Sequence, residues 1–216
     1  MSGRTVPFIN GSYYHVYNRG SDKRNIYLKN REYKRFVQTF YYYQFLGPKP
    51  RFSKFAKSSL NSFNLDINRK LVDVLCYCLM PNHFHFLIKQ LRENGISTFL
   101  SQVSNSYTKY FNTKYKRVGP LLQGVFKSVL IETDEQLIHT SRYIHLNPIV
   151  SGITRELNTY PWSSLSEYTN KNGDICNIDE ILSFFKQGNY QEFVKTQIDY
   201  GTSLEILKHK TIDTDE

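Results

Sequence analysis

Residues 70–90 read KLVDVLCYCLMPNHFHFLIKQ, two apolar runs on either side of the short segment MPN. Both runs are rich in residues that favour strands, whereas the proline and asparagine between them favour a tight turn. We therefore predict that strands at Lys70–Leu79 and His83–Gln90 pair as an antiparallel hairpin. This hairpin is the starting point for the rest of the fold.

Two histidines begin the second strand of this hairpin. Side chains alternate between the two faces of a strand, so His83 and His85 point to one face while Phe84 and Phe86 point to the other. Two imidazoles on one face could bind a divalent metal together. The same spacing is also typical of polar side chains on the solvated face of a half-buried strand, so the pair alone leaves both interpretations open.

Four further segments surround the hairpin. Tyr13–Tyr17 and Leu121–Ile131 favour strands, and Asn30–Phe45 and Gly95–Tyr115 carry apolar residues at helical spacing. The predicted order is therefore β-α-β-β-α-β. This is the order of the ferredoxin-like split βαβ fold, an α+β fold in which four antiparallel strands carry two helices on one face.

A third helix is predicted directly after the fourth strand. Thr133 and Gln136 form a capping box at its start, and Pro148 is predicted to stop it. Tyr143 and Asn147 lie four residues apart, so their side chains lie about one turn apart on one face of this added helix. A nucleophile and a metal ligand could therefore share that face.

The C-terminal part of the chain is less regular. Residues 160–164 read YPWSS and predict a packed loop, and short helical patterns follow at about residues 178–187 and 190–198. We therefore divide the chain into a main domain at residues 1–165 and a small helical appendage at residues 166–216.

The chain combines positive charge with aromatic residues. Its 216 residues include 28 Lys and Arg against 19 Asp and Glu, a formal net charge of +9, and 15% of the residues are aromatic. This combination suits single-stranded nucleic acid, because cations follow the phosphates and aromatic rings stack on unpaired bases. The alternative is a solvated basic surface around an aromatic core. The basic segment at residues 47–69 lacks periodicity and either contacts nucleic acid or forms a solvated loop.

Cysteine usage and hydropathy indicate a soluble protein of the cytoplasm. Cys76 and Cys78 lie on one predicted strand and Cys176 lies far from both, so we expect buried thiols without a disulfide framework, as in a reducing compartment. The sequence contains no long apolar span, and its first residues lack the hydrophobic stretch of a signal peptide. We therefore expect no membrane partner.

Five motifs together resemble a known family. In chain order they are YHVYNRG at residues 14–20, MPNHFH at 80–85, GVFK at 124–127, YIHLNP at 143–148 and YPWSS at 160–164. In this order they resemble the single-tyrosine transposases of the insertion-sequence-200-like superfamily, whose hallmark is a His-hydrophobic-His motif, and most closely the REP-associated tyrosine transposases. The resemblance covers roughly residues 7–165 and identifies the main domain as a catalytic domain.

The resemblance implies that single-stranded DNA, with hairpin recognition, is cleaved and rejoined through a covalent link between Tyr143 and the 5′ phosphate. It also implies a divalent ion bound by His83 and His85, and the side-chain oxygen of Asn147 could supply a third ligand. A tyrosine hydroxyl has an ordinary pKa of about 10, so it needs a cation that activates the phosphate and stabilises the leaving oxygen. Imidazole ligands favour transition metals and an oxygen-rich substrate favours magnesium, so Mg²⁺ and Mn²⁺ both remain open.

Four residues are predicted to contact DNA. Arg19 and Arg24 lie in the loop after the first strand, and Gln123 and Lys127 lie on the predicted fourth strand. Their side chains could meet the phosphates of single-stranded or hairpin DNA, although plain surface positions fit the sequence as well. The sequence leaves a homodimer open.

Several nearby residues compete for the catalytic roles. Tyr107 and Tyr110 share the helical spacing of apolar neighbours, so we assign them to the core or to a groove. His145 lies two residues after Tyr143 and is expected to point away from it, so we rank it low as a metal ligand. His15 is interpreted as an ordinary strand residue.

Two other functions fit parts of the sequence. A replication-initiator or relaxase-type nickase shares the histidine pair and the tyrosine, but the YIHLNP motif and the short chain argue against it. A domesticated nucleic-acid-binding protein that no longer cleaves would not need the intact set of catalytic candidates. A metal-dependent cleavage assay distinguishes that alternative from an active transposase.

Overall fold

The structure is a computed structural model, and it describes residues 7–57, 65–185 and 190–197. The strands within these ranges are β1 (Tyr13–Arg19), β2 (Val72–Met80), β3 (His83–Gln90) and β4 (Lys127–Ile131). They form one antiparallel sheet in the order β2-β3-β1-β4. This is the strand order of the ferredoxin-like fold, so the predicted fold class and the β2–β3 hairpin are confirmed.

The helices lie on both faces of the sheet. Those in the described ranges are α1 (Asn30–Tyr43), α2 (Phe52–Phe55), α3 (Gly95–Lys114), α4 (Asp134–Val150), α5 (Leu165–Asn170), α6 (Asp179–Leu182) and α7 (Tyr190–Lys195). The predicted capping box begins α4, because the Thr133 hydroxyl oxygen accepts a hydrogen bond from the Gln136 N–H at 3.1 Å. Helices α1 and α3 cover one face, and α4 covers the other.

The face under α1 and α3 is apolar. Phe84 and Phe86 of β3 are fully buried, and their ring centroids lie 5.2 and 6.3 Å from that of Phe36 in α1. Tyr107 of α3 is also fully buried, and its hydroxyl donates to the Ile26 carbonyl at 2.6 Å. The assignment of Tyr107 to the core is therefore confirmed. Each such aromatic side chain contributes about 1.5–3 kcal/mol by leaving water, so this face stabilises the fold.

The opposite face of the sheet carries a row of polar side chains. Tyr17 of β1 pairs with His85 of β3 and with Lys127 of β4, and Arg19 of β1 pairs with His83. Cross-strand partners in an antiparallel sheet point to the same face. The register therefore brings residues from three strands together under α4.

The fourth strand is shorter than predicted. It begins at Lys127 rather than Leu121, and the preceding residues form a loop in which Gly124 has a φ of +46°. The strand position predicted for Gln123 is therefore wrong. Gln123 lies in this loop, where its N–H donates to the Arg19 carbonyl at 2.8 Å. The apolar residues that suggested a longer strand include Val125, which the loop leaves exposed.

Pro148 does not stop α4, which continues to Val150. Proline has no N–H to donate, so it usually ends or kinks a helix. In α4 the missing N–H lies in the last turn of the helix, and the residues directly after it supply other N–H donors. The Ser151 N–H donates to the Asn147 carbonyl and the Ile153 N–H donates to the Pro148 carbonyl, both at 2.9 Å. The predicted end at Asn147 is therefore three residues too early.

The C-terminal segments cover the free edge of β2. The Tyr168 hydroxyl donates to the Leu75 carbonyl at 2.7 Å, and the Asn177 N–H donates to the Val74 carbonyl at 2.9 Å. An edge strand left with open carbonyl and N–H groups can pair with other chains, and these contacts occupy part of that edge. The helical patterns predicted at 178–187 and 190–198 correspond to the shorter α6 and α7, and their positions 186, 187 and 198 lie outside the described residues.

Other local predictions are also confirmed. Trp162 stacks on Tyr33 with ring centroids 4.7 Å apart, as expected of a packed YPWSS loop. The three cysteines are free and buried. Within the basic segment at residues 47–69, the structure describes the α-helix α2, and residues 58–64 lie outside the described ranges. Across the ranges that the structure describes, no helix combines the length and the apolar character that a membrane span requires.

Candidate active site

A cleft of about 610 Å³ lies between the polar face of the sheet and α4. Seven of the eight predicted site residues line it: Arg19, His83, His85, Gln123, Lys127, Tyr143 and Asn147. The eighth, Arg24, is not among the described residues that line the cleft, and its guanidinium bonds to the Ser21 carbonyl and the Asp22 carboxylate. Residues from three strands, one loop and one helix thus meet at one site.

Hydrogen bonds orient both histidines of the pair. The His83 Nδ1 lies 2.6 Å from the Asn82 side-chain oxygen, and the Asn82 amide nitrogen donates to the Lys23 carbonyl. An amide oxygen only accepts, so His83 donates from Nδ1 and keeps the lone pair of Nε2. The His85 Nδ1 lies 2.9 Å from the Nε2 of His15 on β1. A bond from one ring nitrogen to a fixed partner is how metal-binding histidines are commonly held.

Burial keeps the imidazoles of His15, His83 and His85 neutral at pH 7. Burial lowers the pKa of His83 to about 4, with a further contribution from the positive charge of Arg19. Burial also lowers the pKa of His15 to about 4 and that of His85 well below its ordinary value. A metal binds the neutral form of imidazole, so this electrostatic environment favours metal binding.

Tyr143 lies over the histidines. Its side chain is 48% exposed, and its ring centroid is 5.7 Å from that of His85 at an interplanar angle of 87°. The ring of His15 is 5.8 Å from the same tyrosine. Helix α4 therefore presents a solvent-accessible phenol directly beside the paired imidazoles of the sheet.

Asn147 lies one turn after Tyr143 on the same side of α4. Its amide nitrogen donates to the Tyr143 carbonyl at 2.8 Å, so its amide oxygen is the atom available as a ligand. Among the described residues, no group of three His, Cys, Asp or Glu suited to a metal occurs. Two imidazole nitrogens and one amide oxygen fit a divalent ion that also takes substrate oxygens.

His145 faces away from the cleft. It is buried, and its two ring nitrogens bond to the Tyr190 hydroxyl at 2.7 Å and to the Ser164 hydroxyl at 2.8 Å. Burial lowers its pKa to about 3. The expectation that His145 points away from Tyr143 therefore agrees with the structure.

His15 is the site residue that the sequence interpretation missed. Its position on a strand was expected, but its ring packs beside both His85 and Tyr143, with centroids 5.1 and 5.8 Å away. Further residues bordering the cleft are Tyr17, Asn18, His139, Arg142 and Gln197. Alternation along β1 places His15 on the same strand face as Tyr17 and Arg19, but only the pairing of β1 with β3 brings that face beside His85.

Comparisons with known proteins identify the family and support the fold. The model of the family described as IS200-like transposase matches residues 12–147. No curated protein matches the chain significantly. Among solved structures, a REP-associated tyrosine transposase bound to a REP hairpin is similar to this chain, with a TM-score of 0.55 and 16% identity over 83% of this chain and 90% of the other. That similarity supports the fold. Because the family match spans more than half of the sequence and includes the histidine pair and the α4 tyrosine, the chain belongs to the IS200-like transposase family.

Proposed function

We propose that this protein is a metal-dependent, single-tyrosine transposase that cleaves and rejoins single-stranded DNA. The observation that carries the proposal is the position of the Tyr143 ring, 5.7 Å from the ring of His85 across one cleft. A phenol is a weak nucleophile at neutral pH, so it requires an activating group close to the phosphate that it attacks. The paired imidazoles beside Tyr143 offer a site for such a group.

His83, His85 and Asn147 would hold the ion, which we propose to be Mg²⁺ or Mn²⁺. When bound there, a divalent ion would polarise the scissile phosphate and stabilise the leaving 3′ oxygen. The donor set supports this role, because His83 keeps a lone pair on Nε2. The amide nitrogen of Asn147 bonds to the Tyr143 carbonyl, which leaves the amide oxygen as the available ligand atom. The depressed pKa values of the histidines keep both rings in the neutral form that a metal binds.

Tyr143 would then act as the nucleophile. Its hydroxyl oxygen forms a bond to phosphorus, the bond between phosphorus and the 3′ oxygen breaks, and the 3′ oxygen takes a proton while the phenol releases one. The 5′ end of the downstream strand is thereby joined to the tyrosine. A 3′ hydroxyl of the same or another strand can reverse the step, and the two phosphodiesters are similar in energy. Rejoining therefore needs no ATP.

We further propose that the substrate is a hairpin with single-stranded flanks, as expected of the REP-associated branch of the family. The net charge of +9 supports a nucleic-acid partner. Arg19 and Lys127 line the cleft and are exposed, so they can contact the phosphates on either side of the cleaved bond. Gln123 lines the same wall. The catalytic domain at residues 1–165 would carry the reaction, and α6 and α7 of the appendage at residues 166–216 pack against α4.

The test uses a pool of hairpin oligonucleotides with randomised single-stranded flanks and a label at the 3′ end. With Mg²⁺ or Mn²⁺, we expect labelled DNA to migrate with the protein on a denaturing gel, and peptide mass spectrometry to locate the link on Tyr143. A chelator should abolish the adduct. Binding without any adduct would support the non-cleaving alternative, and an adduct that never transfers to a second strand would support a nickase.

A further inference from the structure

A buried chain of hydrogen bonds runs through α4 from the sheet to α7. The Ser164 hydroxyl lies 2.8 Å from the His145 Nε2, and the His145 Nδ1 lies 2.7 Å from the Tyr190 hydroxyl. Tyr190 in turn donates to the Ser141 hydroxyl oxygen at 3.0 Å. All four side chains are buried, and the proposed reaction uses none of them. The hydrogen bonds join the end of the loop before α5, the middle of α4 and the start of α7.

The contacts assign one direction to the protons of this chain. The Ser141 hydroxyl donates to the Ile138 carbonyl at 2.7 Å, so its oxygen is the acceptor for Tyr190. Tyr190 has a single proton, and its oxygen therefore accepts from the His145 Nδ1–H. The His145 Nε2 then accepts from the Ser164 hydroxyl.

The sheet end of the chain is equally well defined. The Tyr77 N–H donates to the Ser164 hydroxyl oxygen at 2.9 Å, and the Tyr77 carbonyl already accepts from the Ser164 backbone N–H at 3.0 Å. The Ser164 hydroxyl has two acceptors within reach, the His145 Nε2 at 2.8 Å and the Tyr77 carbonyl at 3.3 Å, and the shorter contact is the one to His145. With the proton in that contact, each donor of the buried chain meets an acceptor, and a network satisfied in this way favours one arrangement of its parts.

This chain of hydrogen bonds fixes the rotation of α4 about its own axis. His145 lies midway between Tyr143 and Asn147, and two residues of helix turn its side chain to the opposite side of the axis. A rotation or shift of α4 that displaced Tyr143 would therefore break the bonds of His145. A second contact lies beside the nucleophile, where the Arg142 guanidinium stacks 4.1 Å from the Phe193 ring of α7 and donates to the Phe193 carbonyl at 3.3 Å.

We propose that α7 braces the nucleophile, with Tyr190 acting through His145 as a positioning residue that sets where Tyr143 sits over the histidine pair. The inference rests on the proposed role of Tyr143. It assigns to the C-terminal segment a function in the reaction in addition to packing. Tyr190 touches neither the cleft nor a reacting atom, so its effect is on geometry alone.

The test compares two buried tyrosines of the C-terminal segment. Tyr190→Phe removes the hydroxyl that binds α4 and keeps the ring. Tyr168→Phe is the matched control, because Tyr168 also packs against the His145 ring, with centroids 4.9 Å apart, but its hydroxyl donates to the Leu75 carbonyl of β2. Tyr190→Phe removes two buried hydrogen bonds, to His145 and to Ser141, and Tyr168→Phe removes one, so the two rates are compared only where both variants are folded.

We expect the single-turnover cleavage rate of Tyr190→Phe on bound DNA to fall by about 10- to 100-fold, the loss that a misplaced reacting group causes, while its Kd for DNA stays unchanged. Tyr168→Phe should keep the wild-type rate at a temperature where both variants are folded. An equal fall of the rate in both variants would overturn the brace, since the hydroxyls would then only support the fold.

A second measurement does not depend on cleavage. With 3-fluorotyrosine at position 143, the ¹⁹F resonance should shift or broaden in Tyr190→Phe and stay unchanged in Tyr168→Phe. An unchanged resonance in Tyr190→Phe refutes the brace even if the wild type cleaves, whereas a shifted resonance in a protein without cleavage refutes only the proposed function. If Tyr190→Phe does not fold, Ser141→Ala removes the acceptor at the end of the chain and is judged by the same comparison.

Discussion

The two faces of β3 differ in character, because alternate residues of the strand are apolar on one face and imidazoles on the other. Phe84 and Phe86 point under α1 and α3 and are fully buried among aromatic rings. His83 and His85 point under α4, where burial depresses the pKa of each imidazole. Burying an aromatic ring stabilises the fold, whereas burying an imidazole opposes its protonation and costs stability in acid. The sheet therefore has a packed face, which carries Phe84 and Phe86, and a chemical face under α4, which carries His83 and His85 and where the proposed reaction would take place.

The tyrosines give the largest test of this separation. Tyr143→Phe removes the attacking oxygen from the chemical face, so covalent adducts should fall below detection while DNA binding persists. Tyr107→Phe removes a hydroxyl from the packed face, where it donates to the Ile26 carbonyl, so this variant should lose about 1 kcal/mol of unfolding free energy and still form adducts. Gel assays of adducts and urea unfolding measure the two effects. Wild-type adduct levels in Tyr143→Phe would remove this residue from the mechanism.

The two side-chain types of β3 give the next contrast. His83→Ala and His85→Ala should each lose several kcal/mol of transition-state stabilisation, roughly a 1,000-fold fall in cleavage rate, with little change in stability. Asn147→Ala should have a smaller effect, because substrate oxygens can replace one oxygen ligand. Phe86→Ala should instead lower the unfolding free energy by about 3–5 kcal/mol and leave the folded fraction active.

Calorimetric titration with Mn²⁺ separates loss of the metal from loss of the fold. The histidine variants should bind the ion far more weakly than the wild type, and Phe86→Ala should bind it as the wild type does at a temperature where it is folded. Wild-type Mn²⁺ affinity in His83→Ala and His85→Ala would show that these residues are ordinary polar positions on the strand.

The same division explains how far the sequence alone could lead. Alternation and turn signals of residues 70–90 were sufficient for the hairpin, and motif order was sufficient for the match to the family. The role of His15 was missed because it depends on the pairing of β1 with β3, which sets Tyr17 opposite His85. No local pattern records that register. The start of β4 was misjudged for a related reason, since a tertiary hydrogen bond from Gln123 to the Arg19 carbonyl holds the preceding loop. The end of α4 was misjudged for a local reason, since N–H groups shortly after the helix bond to the carbonyls of its last turn.

The pH dependence of the unfolding free energy is a smaller expected difference between the two faces of the sheet. Burial lowers the pKa of His15 and of His83 from 6.5 to about 4 in the folded protein. The unfolded chain therefore binds more protons than the folded chain between about pH 6.5 and pH 4, and stability falls as the pH falls through this window. At pH 5 each residue should cost about 1–2 kcal/mol relative to pH 7.

The measurement is the urea midpoint at pH 7 and pH 5 with a chelator present. Replacing both residues, as His15→Gln with His83→Gln, should flatten the fall. If the double variant loses as much stability in acid as the wild type, the histidines of the chemical face are not its source.

The smallest expected effect is on the salt dependence of DNA binding, and it tests whether cations that line the cleft bind the strand or whether the net charge of the whole protein does. Arg19 and Lys127 line the cleft, whereas the Arg24 guanidinium bonds to the Ser21 carbonyl and lies 3.2 Å from the Asp22 carboxylate. Removing one cation that neutralises a phosphate of a single strand should reduce the slope of log affinity against log salt by about 0.7. We therefore expect Arg19→Gln and Lys127→Gln each to flatten the salt dependence of hairpin binding by about this amount. Arg24→Gln removes the same unit of charge and should leave the slope unchanged. Equal slopes for the three variants would mean that overall charge, rather than the cleft beside the histidines, holds the strand.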